Sequence, residues 1–304
     1  MADTSHWEAL VARGARQLPV RESTMRVVDT GPPRHLDDPQ SPVLVFLHGN
    51  PTSSFLWRHV ITALADRFRC VAIDLIGMGG SGKPDLDYTW KVHRDYVAEA
   101  LGRLDTEGRD MRLVMHDWGV ALGLFYARQH PGRVAGVAMM EGHLRALGSW
   151  QDFDEAGREL FRELRDPVRG RRKVEEENFF ISTVLPSGMH HQLTEDEHRA
   201  YAAPFPTPRS RHPIWAWVTQ IPINGDPPDV RDALDANLAW LETTRTPRLL
   251  LHADPGAIID SAYAAEIAAR CPGLTTRTVG PGLHFLPEDQ PIAIAEHLAT
   301  WIGS

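Results

Sequence analysis

The chain has 304 residues, enough to bury a large core in one domain with an insertion or in two modest domains. Hydrophobic residues at 42% and charged residues at 24% are ordinary globular proportions, and a formal net charge of −8 argues against nucleic acid or an anionic membrane as partner. Two cysteines without metal or disulfide spacing, no apolar run approaching ~18 residues and no basic-then-apolar leader lead us to expect a cytoplasmic protein.

Apolar runs of strand length alternate with segments of helical period, which predicts βαβ units and a mostly parallel sheet. Residues 18–22 and 25–29, on either side of Ser23-Thr24, read as an antiparallel edge hairpin, and Asp38-Pro39-Gln40-Ser41-Pro42 reads as a loop. Strands are then expected at 43–47, 70–73, 113–115, 134–140, 249–251 and 275–279. Helices are expected at 55–64, 90–101, 121–130, 230–241, 262–269 and 291–302, with Val230, Leu234, Leu238 and Leu241 forming a buried stripe. Between Met140 and Leu249 the alternation stops. Proline-punctuated helical pieces at 153–164, 175–184, 194–201 and 213–218 take over, broken at Pro186-Ser187-Gly188 and Pro204-Phe205-Pro206. The expected division is a core from 1–141, an inserted helical cap from 142–224, and the rest of the core from 225–304.

Polar groups gather where each strand hands over to a helix, the side on which open α/β sheets place ligands. The first parallel strand is followed by His48-Gly-Asn50-Pro-Thr-Ser-Ser54, the second by Asp74-Leu-Ile-Gly-Met-Gly-Gly-Ser-Gly82, and the third by Asp117-Trp118. Glu141 ends the fourth, and His284 follows the last within Gly280-Pro-Gly-Leu-His-Phe. Taken singly, Asp117 could N-cap a helix, Asn50 could serve a turn, Trp118 could be core, and Glu141 and His284 could be structural. Together they form a chemical set. An ionised carboxylate needs no base to attack, but the ester it forms needs a base to activate water. A histidine held by a second carboxylate suits that task. The second carboxylate is Glu141, with Asp254 in Leu251-His-Ala-Asp-Pro-Gly256 as the alternative.

The glycines at 77, 79, 80 and 82 lack the ending of a P-loop and the order of a dinucleotide fingerprint, and read as a tight turn. The fifteen histidines, His93, His190 and His191 among them, show no ligand spacing. Neither a metal nor a cofactor is expected.

The motifs His48-Gly-Asn-Pro-Thr-Ser-Ser, Asp74-Leu-Ile-Gly-Met-Gly, His116-Asp-Trp-Gly, Met140-Glu141 and Gly280-Pro-Gly-Leu-His-Phe285 together resemble the haloalkane dehalogenases of the α/β-hydrolase superfamily. Asp117 stands where those hydrolases usually carry the serine of a G-x-S-x-G elbow. The resemblance runs from about Leu44 to the C-terminus and is looser in the first 40 residues and over 142–222. It implies an α/β-hydrolase fold with helices on both faces of the sheet and a cap.

The same resemblance implies Asp117 as nucleophile, Glu141 as acid and His284 as base. Asn50 and Trp118 would be the halide pair, and their backbone N–H groups the oxyanion hole. The cap would line an apolar cavity with Phe153, Phe161, Phe179, Phe180, Val184, Phe205 and Pro206. Partners would be a small apolar halogenated substrate and the halide product, with the chain a monomer or weak homo-oligomer. An epoxide hydrolase would share nucleophile, base and cap but use two cap tyrosines, and only Tyr201 is present there. A luciferase-like oxygenase and a non-catalytic small-molecule receptor are the other readings on this scaffold.

Overall fold

Runs such as Val-Leu-Val-Phe-Leu leave no polar face for water, so they fold as strands covered on both sides. In the computed structural model, which describes residues 5–33 and 41–303, they form the centre of one sheet. Its strands are β1 (Ala15–Val20), β2 (Ser23–Asp29), β3 (Val43–Leu47), β4 (Cys70–Ile73), β5 (Met111–His116), β6 (Val134–Met140), β7 (Arg248–Pro255) and β8 (Leu274–Gly282). The order is β1-β2-β4-β3-β5-β6-β7-β8, with β2 antiparallel to both its neighbours, β1 and β4, and all other pairs parallel. The chain steps from β3 one way to β4 and then back across to β5. That reversal opens a crevice at the C-terminal ends of β3 and β5.

Side-chain alternation along the strands divides the core into two layers. Val43, Val45 and Leu47 pack with Trp90, Tyr96, Leu122 and Leu234, from the helices Trp90–Arg103, Trp118–Gln129 and Pro228–Thr243. Leu44 and Phe46 pack on the opposite face with Trp7, Ile61 and Leu298, from Ser5–Gly14, Arg58–Leu64 and Pro291–Ile302. Val230, Leu234, Leu238 and Leu241 are all buried, as their spacing predicts. No helix among the described residues is long and apolar enough to cross a membrane.

Several expectations are corrected in detail. The hairpin turns at Arg21-Glu22, where Arg21 adopts φ 51°, so Ser23 and Thr24 belong to β2. The helix Ser5–Gly14 has no counterpart in the sequence reading, and residues 38–40 of the expected loop lie outside the described residues. The expected helix at 55–64 begins as a 3-10 turn, Ser54–Trp57, and the one at 121–130 starts earlier, at Trp118.

Between β6 and the Pro228–Thr243 helix the elements are helical: Glu155–Leu164, Arg169–Glu175, a π-turn Phe180–Val184 running on into Leu185–Ser187, Glu195–Ala202 and Pro208–Thr219. Side-chain caps set several of these starts, Asp154 on the Gly157 N–H, Thr194 on Glu197 and Thr207 on Ser210. The expected helix at 175–184 is not continuous, because Asn178 takes φ 55° and interrupts it. Pro213 lies inside a helix rather than starting one, Thr207 being the cap. The ends of this segment meet, with the Leu147 N–H donating to the Pro222 carbonyl at 2.9 Å and the Asn224 N–H to the Leu147 carbonyl at 3.1 Å.

A buried ion network ties this segment to the sheet's helices. The Arg58 guanidinium donates to Glu288 and to Glu197, each at 2.7 Å through Nη2, and the Tyr201 hydroxyl also donates to Glu288. Arg58→Leu leaves two buried carboxylates without their cation, which is expected to lower the unfolding free energy by about 3–5 kcal/mol. Urea unfolding checks this, and a loss too small to resolve would make the network neutral.

Candidate active site

The strand β5 ends in an apolar run and the next helix begins at once, so Asp117 must turn the chain alone. It does so at φ 53° and ψ −127°, a strained conformation for a residue with a side chain. Glycines make room for the turn. A Cβ at Gly119 would overlap the Leu47 carbonyl oxygen, and one at Gly49 would overlap Asp117 Oδ1. Asp117 occupies the N-cap position, but its side chain makes no cap hydrogen bond. Its Oδ1 instead accepts the Asn50 backbone N–H at 2.7 Å.

The loop carrying Asn50 is braced from the neighbouring junction. The His48 Nε2 accepts the Leu75 N–H at 2.9 Å, and the Asp74 carboxylate accepts the Ser54 and Gly80 N–H groups at 2.6 and 2.7 Å. The glycine run is thus a turn closed on Asp74, also joined by the Gly77 N–H to the Gly82 carbonyl at 2.9 Å. The Asn50 side-chain amide donates to the Ile214 carbonyl at 3.3 Å, while its Oδ1 is buried without a partner. One amide hydrogen therefore remains unused.

On its other side, Asp117 Oδ2 faces His284 Nε2 at 3.5 Å, and His284 Nδ1 lies 3.4 Å from Glu141 Oε2. Glu141 is fully buried and takes φ 42° at the end of β6. The backbone N–H groups of Ala257, Ile258 and Ile259 donate to its carboxylate at 3.2, 2.7 and 3.2 Å. Asp254, the alternative acid, is exposed and sits in β7 opposite Pro281.

Burial works against the imidazolium of His284, but its hydrogen bonds to Asp117 and Glu141 outweigh this and push its pKa up to about 9. Burial likewise pushes the Asp117 carboxyl up, yet the hydrogen bond and charge of His284, with His143 and His116, carry it well below the usual carboxylate range. Asp117 is ionised throughout the neutral range.

The carboxylate opens into a cavity of about 490 Å³ that is also lined by Asn50, Trp118 and His284. Of the expected pocket residues, Phe153, Phe161, Phe180 and Val184 line it. Phe179, Phe205 and Pro206 do not: Phe179 lies under Lys173 Nζ, Phe205 is packed in the core beneath Lys83, and Pro206 is exposed. Tyr201 is bound to Glu288, away from the cavity wall.

Three features of the site were missed from the sequence. Trp217 stacks on Trp118 with ring centroids 4.4 Å apart, and the 257–259 amides hold Glu141. His143 Nε2 stands 3.6 Å from Asp117 Oδ2. For His143 a signal existed, a histidine two residues beyond a strand-end acid.

The mostly parallel eight-stranded sheet, with a strand-to-helix elbow after β5 and a histidine loop after the last strand, is that of the α/β-hydrolase class, and the profile of the alpha/beta hydrolase fold family matches residues 42–291. Within that class the chain belongs to the haloalkane dehalogenase family. It is 41% identical to a haloalkane dehalogenase of Mesorhizobium japonicum over 288 residues, covering 94% of this chain and 90% of the relative. A second, from Bradyrhizobium diazoefficiens, is 38% identical, with 95% and 94% covered. The crystal structure of haloalkane dehalogenase DbeA from Bradyrhizobium elkani superposes with a TM-score of 0.88 at 38% identity, covering 95% of this chain and 97% of that one.

Proposed function

We propose that this protein hydrolyses carbon–halogen bonds of small aliphatic substrates to alcohol, halide and a proton. One observation carries the reading: a buried, ionised carboxylate has one oxygen on the Asn50 amide and the other turned toward His284 and an apolar cavity. In this reading Asp117 Oδ2 attacks the halogenated carbon and the carbon–halogen bond breaks. The halide leaves toward the Trp118 indole N–H and the unused Asn50 amide hydrogen. Neutral donors hold an anion without trapping it as a cation would.

The resulting ester removes the charge of Asp117, one of the two carboxylates that keep His284 protonated. His284 then releases its proton to solvent, the proton counted among the products, and becomes the base that activates water toward the ester carbonyl. Charge developing on Oδ1 is met by the Asn50 N–H, with the Trp118 N–H as second donor. Collapse breaks the bond from the acyl carbon to Oδ2, and the departing alkoxide takes from His284 the proton that came from water. The new carboxyl, carrying the water's oxygen, returns its proton to His284 and is again a carboxylate. The 142–224 segment acts as the cap that keeps bulk water out. The cytoplasm supplies the aqueous, reducing setting in which this chemistry runs.

Halide release from a panel of chlorinated, brominated and iodinated alkanes tests the function, and release from none of them overturns it. Trp118→Phe is expected to slow halide release about a hundredfold, the effect of losing one donor worth roughly 3 kcal/mol to the departing charge. Chlorides should lose more than iodides, because the poorer leaving group depends more on charge stabilisation. Equal losses would assign Trp118 to packing.

A further inference from the structure

His143 is the second imidazole at the nucleophile. It lies on the chain just beyond Glu141, its side chain is 11% exposed, and it lines the same cavity. Its ring tilts against Trp118 with centroids 4.5 Å apart. Its Nε2 is 3.6 Å from Asp117 Oδ2, the oxygen that His284 also faces. That separation is beyond hydrogen-bond length, so the imidazole faces the carboxylate without being locked to it. Around it the cavity wall is largely apolar, with Leu144, Leu147, Phe180, Val218 and Ile221.

Among the described residues no carboxylate pairs with the far nitrogen of His143, whereas His284 has Glu141 there to fix the tautomer and hold the ring for water activation. A duplicate base is therefore not its role. Burial lowers its pKa in spite of the neighbouring Asp117 carboxylate, so it enters the reaction as a neutral imidazole, and the anion selects the tautomer with an N–H on Nε2.

When Oδ2 bonds to carbon, its charge disappears and this N–H loses its anionic neighbour inside an apolar pocket. An unpaired buried donor is costly, and a substrate atom that accepts from it as the charge is consumed stabilises the transition state more than the bound substrate. With the reacting carbon bonded to Oδ2, which lies 3.6 Å from His143 Nε2, an atom attached to the next carbon and turned gauche to Oδ2 falls beside that oxygen, within reach of the same N–H. We propose that His143 reads a hydrogen-bond acceptor at that position, making halogenated ethers and alcohols with oxygen β to the halogenated carbon the favoured substrate class. This rests on the dehalogenation reading above. His143 is then a specificity-determining residue, and the covalent chemistry stays with Asp117 and His284.

The test compares 1-bromobutane with 1-bromo-2-methoxyethane, which differ by one CH2 replaced with oxygen at that position. The unmodified chain is expected to favour the ether, by kcat/KM, about tenfold more than acetate ion does in solution, where intrinsic reactivity alone decides. His143→Leu should bring the ether-to-alkane ratio down to the solution value, and His143→Gln, which keeps an N–H donor, should recover most of the preference. The comparison with acetate uses the unmodified protein and stands even if a variant fails to fold. A ratio equal to that in solution, or one unchanged in folded His143→Leu, overturns the assignment of His143 while leaving dehalogenation intact. Bromide released from neither compound overturns the dehalogenation reading itself.

Discussion

Replacing His284 with Phe is expected to stop the reaction after one equivalent of halide, with the alkyl group left on Asp117. The attack needs only the ionised carboxylate, which the Asn50 N–H still holds through Oδ1 when the imidazole is gone. Hydrolysis needs the base, and removing a positioned base slows its step about 10²- to 10⁴-fold. Mass spectrometry of the peptide containing Asp117 after incubation with a bromoalkane reads the added alkyl group directly. An unmodified peptide in a variant that still releases halide would overturn the two-step route. The unmodified enzyme should approach the same state in acid. His284 titrates at about 9 while both carboxylates are charged and lower once Asp117 is esterified, and hydrolysis requires the neutral ring. Ester should therefore accumulate as pH falls through this second, lower value.

Glu141→Gln is expected to be nearly as damaging to hydrolysis and to leave ester formation largely in place. The longer of the two candidate acids sits 3.4 Å from His284 Nδ1, whereas Asp254 is exposed in β7 opposite Pro281. An amide in place of the carboxylate no longer enforces the tautomer that presents a free Nε2 to water, a fault that can cost up to about 10⁴ in rate. Single-turnover measurements should find ester accumulating in Glu141→Gln and turnover within a few-fold of the parent in Asp254→Asn. The opposite pattern would move the acid to β7.

Local sequence was enough to place the central strands, because β3 and β4 are buried along their whole length and leave no periodicity to mistake. It was also enough to bring the five junction residues to one rim, since parallel strands put every such loop at the same end. The helical segment was harder. Its interruption at Asn178 depends on one left-handed residue, and the Pro208–Thr219 helix starts at a Thr207–Ser210 cap that competes with the more visible Pro213. The pocket residues divided for a related reason. Aromatic content says that a side chain will be covered, but not whether the covering is cavity wall, as for Phe161, or core, as for Phe205. His143 faces the nucleophile through a turn after β6 that no periodic pattern encodes.

The Glu141 carboxylate is held by three main-chain amides carried by Ala257, Ile258 and Ile259, whose side chains contribute nothing to that grip. Such a cradle is spelled in shape rather than in letters. Ala257 and Ile258, which line the cavity, are free to drift toward whatever its wall requires, while Ile259 is held by its burial in the core, and the electrostatic setting of the acid survives provided the loop keeps its length and its turn. Insertion or deletion of one residue there would disarm the site without touching any group that reacts. The acid's support and the pocket's outline are thus adjustable separately at Ala257 and Ile258.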